Sequence, residues 1–150
     1  MTAQTASGTA VNFTSIPSWV KRITITFESV FFSSGDDIMV QIGPSGGVET
    51  TNYTYTDVSA NGGSTIKSII GAGFVLTGGQ AAASSVQGIL YITTVSGNVW
   101  VSSANIGGVT FNNVGVHTGR KSLAGVLTQL SVKGVLGQTF GGGTIQVFYE

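Results

Sequence analysis

Apolar and polar side chains alternate with a period of two through much of this sequence, and glycine-rich clusters interrupt the pattern at short intervals. From Val20 to Val30, Ile23, Ile25 and Phe27 point one way, while Arg22, Thr24, Thr26 and Glu28 point the other. That period marks a strand with one buried face. Ile38, Val40 and Ile42 repeat it with Met39 and Gln41 opposite. So do Leu90, Ile92 and Thr94; Val99, Val101 and Ser103; Leu130 and Val132; and Ile145, Val147 and Tyr149. Between the runs lie Gly35-Asp36-Asp37, Gly46-Gly47, Asn61-Gly62-Gly63, Gly78-Gly79, Gly97-Asn98 and Gly141-Gly142-Gly143. These residues tolerate the backbone angles of tight turns, and Ser96-Gly97-Asn98 between two apolar runs predicts a hairpin.

Leu123, Val126, Leu127 and Leu130 sit at helical spacing, but Gly119, Gly125 and Gly134 surround them and alternation resumes from Gln129 to Lys133. The expectation there is a loop or single turn leading into a strand. The whole pattern predicts an all-β fold, a β-sandwich or jelly roll of about eight to ten antiparallel strands in a single domain. That domain is expected over residues 10–150. Residues 1–9, small and polar, are expected as a flexible arm or an early strand that adds to a neighbour.

Charge is the limiting feature of the surface. Only 8% of the 150 residues are Asp, Glu, Lys or Arg, six basic against six acidic, where an average soluble protein has about 25%. A surface with few charges and no net charge lacks the usual protection against self-association. With a mean hydropathy of +0.35, this points to a homo-oligomer or a component of a larger assembly. Nucleic acid is not the expected partner, since that needs a basic stripe to displace counterions. The basic pairs Lys21-Arg22 and Arg120-Lys121 are expected at solvated strand edges. Cysteine is absent, so disulfides and thiolate chemistry play no part. The first ten residues lack the basic and apolar regions of a secretory signal. No stretch reaches the roughly 20 apolar residues of a bilayer-spanning helix, so no membrane partner is expected.

No catalytic, cofactor or metal residue stands out, and an enzyme is not expected. Gly43-Pro44-Ser45-Gly46-Gly47 matches the G-x-S-x-G nucleophile elbow in form. An elbow must open a helix, however, and Val48 to Thr56 is rich in β-branched and aromatic residues. The segment is better read as a turn ending the strand Ile38 to Ile42. The order Ser45, Asp57, His117 suits a hydrolase fold whose parallel sheet and helices are missing here. His117, the one histidine, is expected in a loop and cannot alone make a histidine metal site. Asp36-Asp37 reads as a solvated turn. Gly141-Gly142-Gly143-Thr144 lacks the lysine of a phosphate loop and reads as a turn before the last strand. The sequons at Asn12 and Asn52 matter only in a secreted eukaryotic protein.

What remains is surface. Phe31 and Phe32 are adjacent, so in a strand they face opposite sides and one is left to contact a neighbouring subunit. Trp19, Trp100, Tyr53 and Tyr55 could together make a sugar-stacking platform, although each taken singly is more often core or interface. These six aromatics are the candidate interaction surface.

The stretch Ile16-Pro-Ser-Trp-Val-Lys-Arg-Ile-Thr-Ile-Thr-Phe27 carries a resemblance, together with Val40-Gln-Ile-Gly-Pro-Ser-Gly-Gly-Val-Glu-Thr50, Lys121-Ser-Leu123, Leu127-Thr-Gln-Leu130 and Gly143-Thr-Ile-Gln-Val-Phe-Tyr-Glu150. These segments resemble a family of bacteriophage virion-surface β modules that often form the C-terminal part of tail-fibre-like proteins, with an "IPSWxKRITV" opening and a "GxINILYE" ending. The likeness runs from about Ala10 to Glu150. It departs from the common pattern at Pro44, where Asp is frequent, and at Phe31-Phe32. The resemblance implies a non-enzymatic virion structural protein, assembled in the host cytoplasm and displayed on the particle surface. Because the chain starts almost where the module starts, the expectation is a capsid decoration (cement) protein. It would be a homotrimer, with other virion proteins such as the major capsid protein as partners. The alternative it implies is a receptor-binding fibre or spike tip that binds host surface glycan.

Overall fold

The computed structural model describes residues 2–60, 64–76, 82–108 and 113–150, and these hold twelve strands and no helix. In chain order they are β1 (Thr2–Thr5), β2 (Ala10–Phe13), β3 (Arg22–Phe32), β4 (Ile38–Gly43), β5 (Tyr53–Ala60), β6 (Ser64–Gly71), β7 (Phe74–Leu76), β8 (Val86–Ser96), β9 (Val99–Gly108), β10 (Asn113–Ser122), β11 (Gln129–Gly134) and β12 (Phe140–Tyr149). Twelve exceeds the eight to ten expected, because β1, β2 and β7 span only three or four residues, too few to display alternation.

The strands form two antiparallel sheets, one of eight in the order β1-β12-β3-β8-β9-β10-β5-β6 and one of four in the order β2-β11-β4-β7. They pack as a β-sandwich in a single domain. Ile23, Ile25, Phe27, Leu90, Ile92, Ile145 and Val147 come inward from the large sheet, and Val11, Phe13, Val40, Ile42, Leu130 and Val132 from the small one. Burying such faces at roughly 25 cal/mol per Å² is the main force holding the sheets together.

Several expectations change in detail. Strand β9 turns over: Trp100, Ser102, Ala104 and Ile106 are buried, while Val99, Val101 and Ser103 face outward. A register slip between Thr94 and Ser96, beside the Gly97-Asn98 turn, accompanies this arrangement. An indole hides far more apolar surface than either valine, so the register that buries Trp100 wins. Met39 and Gln41, expected on an outer polar face, are also buried. The Gln41 amide donates to Ala72 O at 2.8 Å, and the Gly73 backbone lies against Met39. The loop after β6 therefore covers the back of β4.

The first residues are not a free arm. Thr2–Thr5 pairs with β12, and the Ala6 N–H donates to Gly143 O at 2.9 Å. Gly141-Gly142-Gly143 is not a turn ahead of the last strand but part of it, at two register shifts against β3. Gly143 has φ +100° and lies against the backbone of Ser29 and Val30, an approach and an angle that only glycine combines. The loop expected before β11 is present without a helix, and the turn after Ile42 closes with Gly47 N–H to Pro44 O at 3.1 Å. The turns expected at Asn61-Gly62-Gly63 and Gly78-Gly79 lie outside the described residues.

Candidate functional site

The six aromatic candidates do not share a surface. Phe32, Tyr53, Tyr55 and Trp100 are buried. Phe32 stacks on Phe140 with ring centroids 4.6 Å apart, and Tyr53 meets Phe74 edge-on at 4.9 Å. Their apolar area is worth more inside than out, which corrects the expectation of a four-ring platform. Phe31 is half-buried, its ring covering Gly141 and Gly142. Trp19 alone is open to solvent, at 61% exposure, in the turn closed by Val20 N–H to Pro17 O.

Buried polar groups gather where loops and solvated edges were expected. His117 lies in β10 at 1% exposure, and its Nε2 shares a hydrogen bond with Ser102 Oγ at 2.9 Å. Phe74 meets the imidazole edge-on and Tyr55 lies tilted against it. Burial lowers its pKa from 6.5 to about 4, partly opposed by a main-chain bond with Val75. Ser102 and Asp57, the cross-strand neighbour of His117, are buried too. The hydroxyl, the imidazole and the carboxyl group are thus enclosed together between the sheets.

Lys121, expected at a solvated edge, is 2% exposed. Its ammonium pairs with Glu49 at 2.5 Å, donates to Thr51 O at 2.9 Å and lies over the Tyr53 ring. Burial would raise the Glu49 pKa, but Lys121 and the Ala124 N–H outweigh it and hold the carboxyl below its ordinary value. Asp36 is likewise buried rather than solvated. Its carboxylate accepts from the N–H groups of Asp37, Leu136 and Gln138, fixing the loop after β11. No group of three or more metal-ligating side chains forms among the described residues.

The largest candidate surface is the outer face of the eight-stranded sheet. Cross-strand register sets Phe148, Thr24, Tyr91, Ser103, Thr118 and Thr56 in one row. The adjoining rows carry Ile89, Asn105 and Val116 on one side and Val101, Arg120, Thr54 and Ile70 on the other. Ile70, Ile89, Tyr91, Val101, Val114 and Val116 are all exposed. Among the outward positions of β3, β8, β9 and β10, only Arg22, Glu28 and Arg120 bear charge, and Arg22 is paired with Glu150. A depression of about 380 Å³ at one end is lined by Thr54, Thr56, Ile70, Thr118 and Arg120.

Sequence reasoning took Leu90 and Ile92 for the apolar side of their strand and passed over Ile89 and Tyr91. The signal was present: Ile89 to Ile92 is apolar on both faces, as is Val99-Trp100-Val101.

No protein-family model and no curated protein matches this sequence. Among solved structures, CG-16, a homodimeric agglutinin from chicken liver, aligns with a TM-score of 0.44 at 11% identity, covering 93% of this chain and 99% of that one. A toad ovary galectin in complex with thio-digalactose aligns with a TM-score of 0.42 at 9% identity, covering 94% and 99%. Neither alignment bears on what this chain binds.

Proposed function

We propose that this chain is a non-enzymatic structural protein of a bacteriophage particle, a capsid decoration protein that works through the outer face of its eight-stranded sheet. The observation that carries the reading is that face: broad, poor in charge and set with exposed Ile89, Tyr91, Val101, Val114 and Val116. Contiguous exposed apolar surface marks interaction sites, and depletion of charge is the mark of an interface centre. The resemblance of the Ile16–Phe27 and Gly143–Glu150 segments to phage virion-surface modules supplies the setting. Self-association into a homotrimer and contact with the major capsid protein follow from the same reading.

Cryo-electron microscopy of the phage particle that encodes this chain tests it. Many copies around capsid symmetry axes are expected, with the outer sheet face in contact. Val101→Lys with Val116→Lys changes outward positions only, so the fold should survive while attachment and self-association are lost. A few copies confined to the tail would overturn the decoration reading in favour of a receptor-binding fibre or spike tip.

A further inference from the structure

The outer face of the large sheet is complementary to itself. Among the outward positions of β3, β8, β9 and β10, Glu28 and Arg120 are both exposed, and neither has an ion-pair partner among the described residues, where the pairs join Arg22 to Glu150 and Lys121 to Glu49. Register fixes where the two stand. Arg120 lines up with Val101, Thr93 and Arg22 across β10, β9, β8 and β3. Glu28 lies further along β3 than Arg22, beyond the outward residues Thr24 and Thr26. With strands about 4.8 Å apart and a rise of about 3.4 Å per residue, they occupy opposite corners of a patch about 14 Å by about 20 Å.

The corners differ in shape as well as in charge. At Glu28 the ladder to β8 slips between Phe27 and Val30, Ser29 takes φ +51°, and Glu28 and Ser29 are both exposed. Such a bulge bends its strand and re-aims the side chains on it. At the other corner Arg120 lines the depression of about 380 Å³, together with Thr54, Thr56 and Thr118. A carboxylate on a bulge suits a hollow that offers an arginine.

A two-fold axis in the plane of the face, through the midpoint between these corners, sets Arg120 of one copy on Glu28 of another and repeats the contact at the opposite corner. The centre of the pair then falls between β8 and β9, among Ile89, Tyr91, Ser103 and Asn105, where no charge is buried. A tyrosine and an aliphatic side chain at an uncharged centre are what anchor an interface. The strands β12, β3, β8, β9, β10 and β5 together make a face about 29 Å by about 24 Å, or on the order of 700 Å², close to the roughly 800 Å² per partner of a stable complex.

We propose that, before it meets a particle, the protein pairs with a second copy through this face, each Glu28 carboxylate seated against Arg120 of the other copy. The inference rests on the reading of this face as the one that docks. It adds that the free face is capped by its own kind, and that on a particle the capsid surface takes the place of the second copy.

Sedimentation velocity and light scattering of the purified full chain should give twice the 15.3 kDa chain mass. Glu28→Arg and Arg120→Glu each set like charges together at both corners and should weaken pairing roughly tenfold or more. Both side chains are exposed, so far-UV circular dichroism and the melting temperature should hold. Mixing the two variants restores opposite charges at both corners. The mixture should therefore form a heterodimer although neither variant pairs alone, and the chain carrying both exchanges should pair with itself. A monomer or a trimer of the wild type in solution overturns the proposal. So does a dimer that either single reversal leaves intact, or a mixture that fails to pair. A chain found on capsids but monomeric when free would remove the pairing alone, whereas a dimer absent from capsids would remove the decoration reading alone.

Discussion

The Tyr53 hydroxyl bonds both main-chain groups of Ile42, accepting from its N–H at 2.8 Å and donating to its carbonyl at 2.9 Å. Tyr53 belongs to the large sheet and Ile42 to the small one, so the pair ties the layers together. It is needed because β7 covers β4 only from Ile38 to Val40. Beyond that point the phenol stands where a neighbouring strand would be, and burial holds it un-ionised far above its ordinary range.

Tyr53→Phe keeps the ring against Phe74 but leaves the Ile42 N–H without this acceptor. A buried group so exposed to loss costs about 1–3 kcal/mol. Denaturant unfolding should show a lower midpoint with an unchanged slope, because the surface exposed on unfolding is the same.

His117 makes stability depend on pH. Its pKa is about 4 in the fold against 6.5 in the unfolded chain, so the unfolded chain takes up a proton first as pH falls. The contribution is complete above about pH 6.5, declines through the interval and levels off below about pH 4, for a loss of about 3 kcal/mol. The difference between wild type and His117→Asn, followed by thermal melts from pH 7 to pH 4, isolates the histidine.

Lys121 and Glu49 should respond unequally to deletion. Glu49→Ala leaves a buried ammonium with Thr51 O and the Tyr53 ring but no counter-charge, and is expected to cost about 3 kcal/mol. Lys121→Met keeps an apolar stem over Tyr53, and the partly exposed Glu49 can turn to water, so the loss should be about 1 kcal/mol. Chemical denaturation of both variants checks the order, and the reverse order would contradict the burial assigned to Lys121.

Phe31 and Gly141 should be coupled. A methyl group on Gly141 would meet the Phe31 ring well inside van der Waals contact, so Gly141→Ala is expected to cost about 1–3 kcal/mol. Phe31→Ala removes the obstacle. The double variant should therefore be less destabilised than the sum of the two, by roughly 0.5 kcal/mol or more, in a thermodynamic cycle of unfolding measurements.

The fold was legible in Ile23 to Phe27 because alternation there separates a purely apolar side from a polar one. It was not legible in Val99 to Ile106, where both sides carry apolar groups and the choice depends on what each meets across the sheet. The buried polar groups were hidden for a different reason. Lys121 is held by Thr51, 70 residues away, and Asp36 holds Leu136 at a distance of 100. Local sequence gives such residues their solvated reading; only the closure of two sheets brings the partners together. Trp19 was legible only as one aromatic among four; that it alone stands in solvent follows from the turn closed by Val20 N–H to Pro17 O. Its companion Trp100 was recognisable only as an aromatic.

Strand β12 lies between β1 and β3, so the first and last strands of the sandwich are neighbours. That placement sets an order of events. While a ribosome is still making the chain, Thr2 to Thr5 have no ladder to join and one edge of β3 stays open, because the segment that closes both, Phe140 to Tyr149, is synthesised after every other strand. Such distant pairing is slow and leaves sheet edges unprotected in the interval. The ten-residue strand β12 thus acts as the keystone of the large sheet, which stays open beside β3 until that strand has been made.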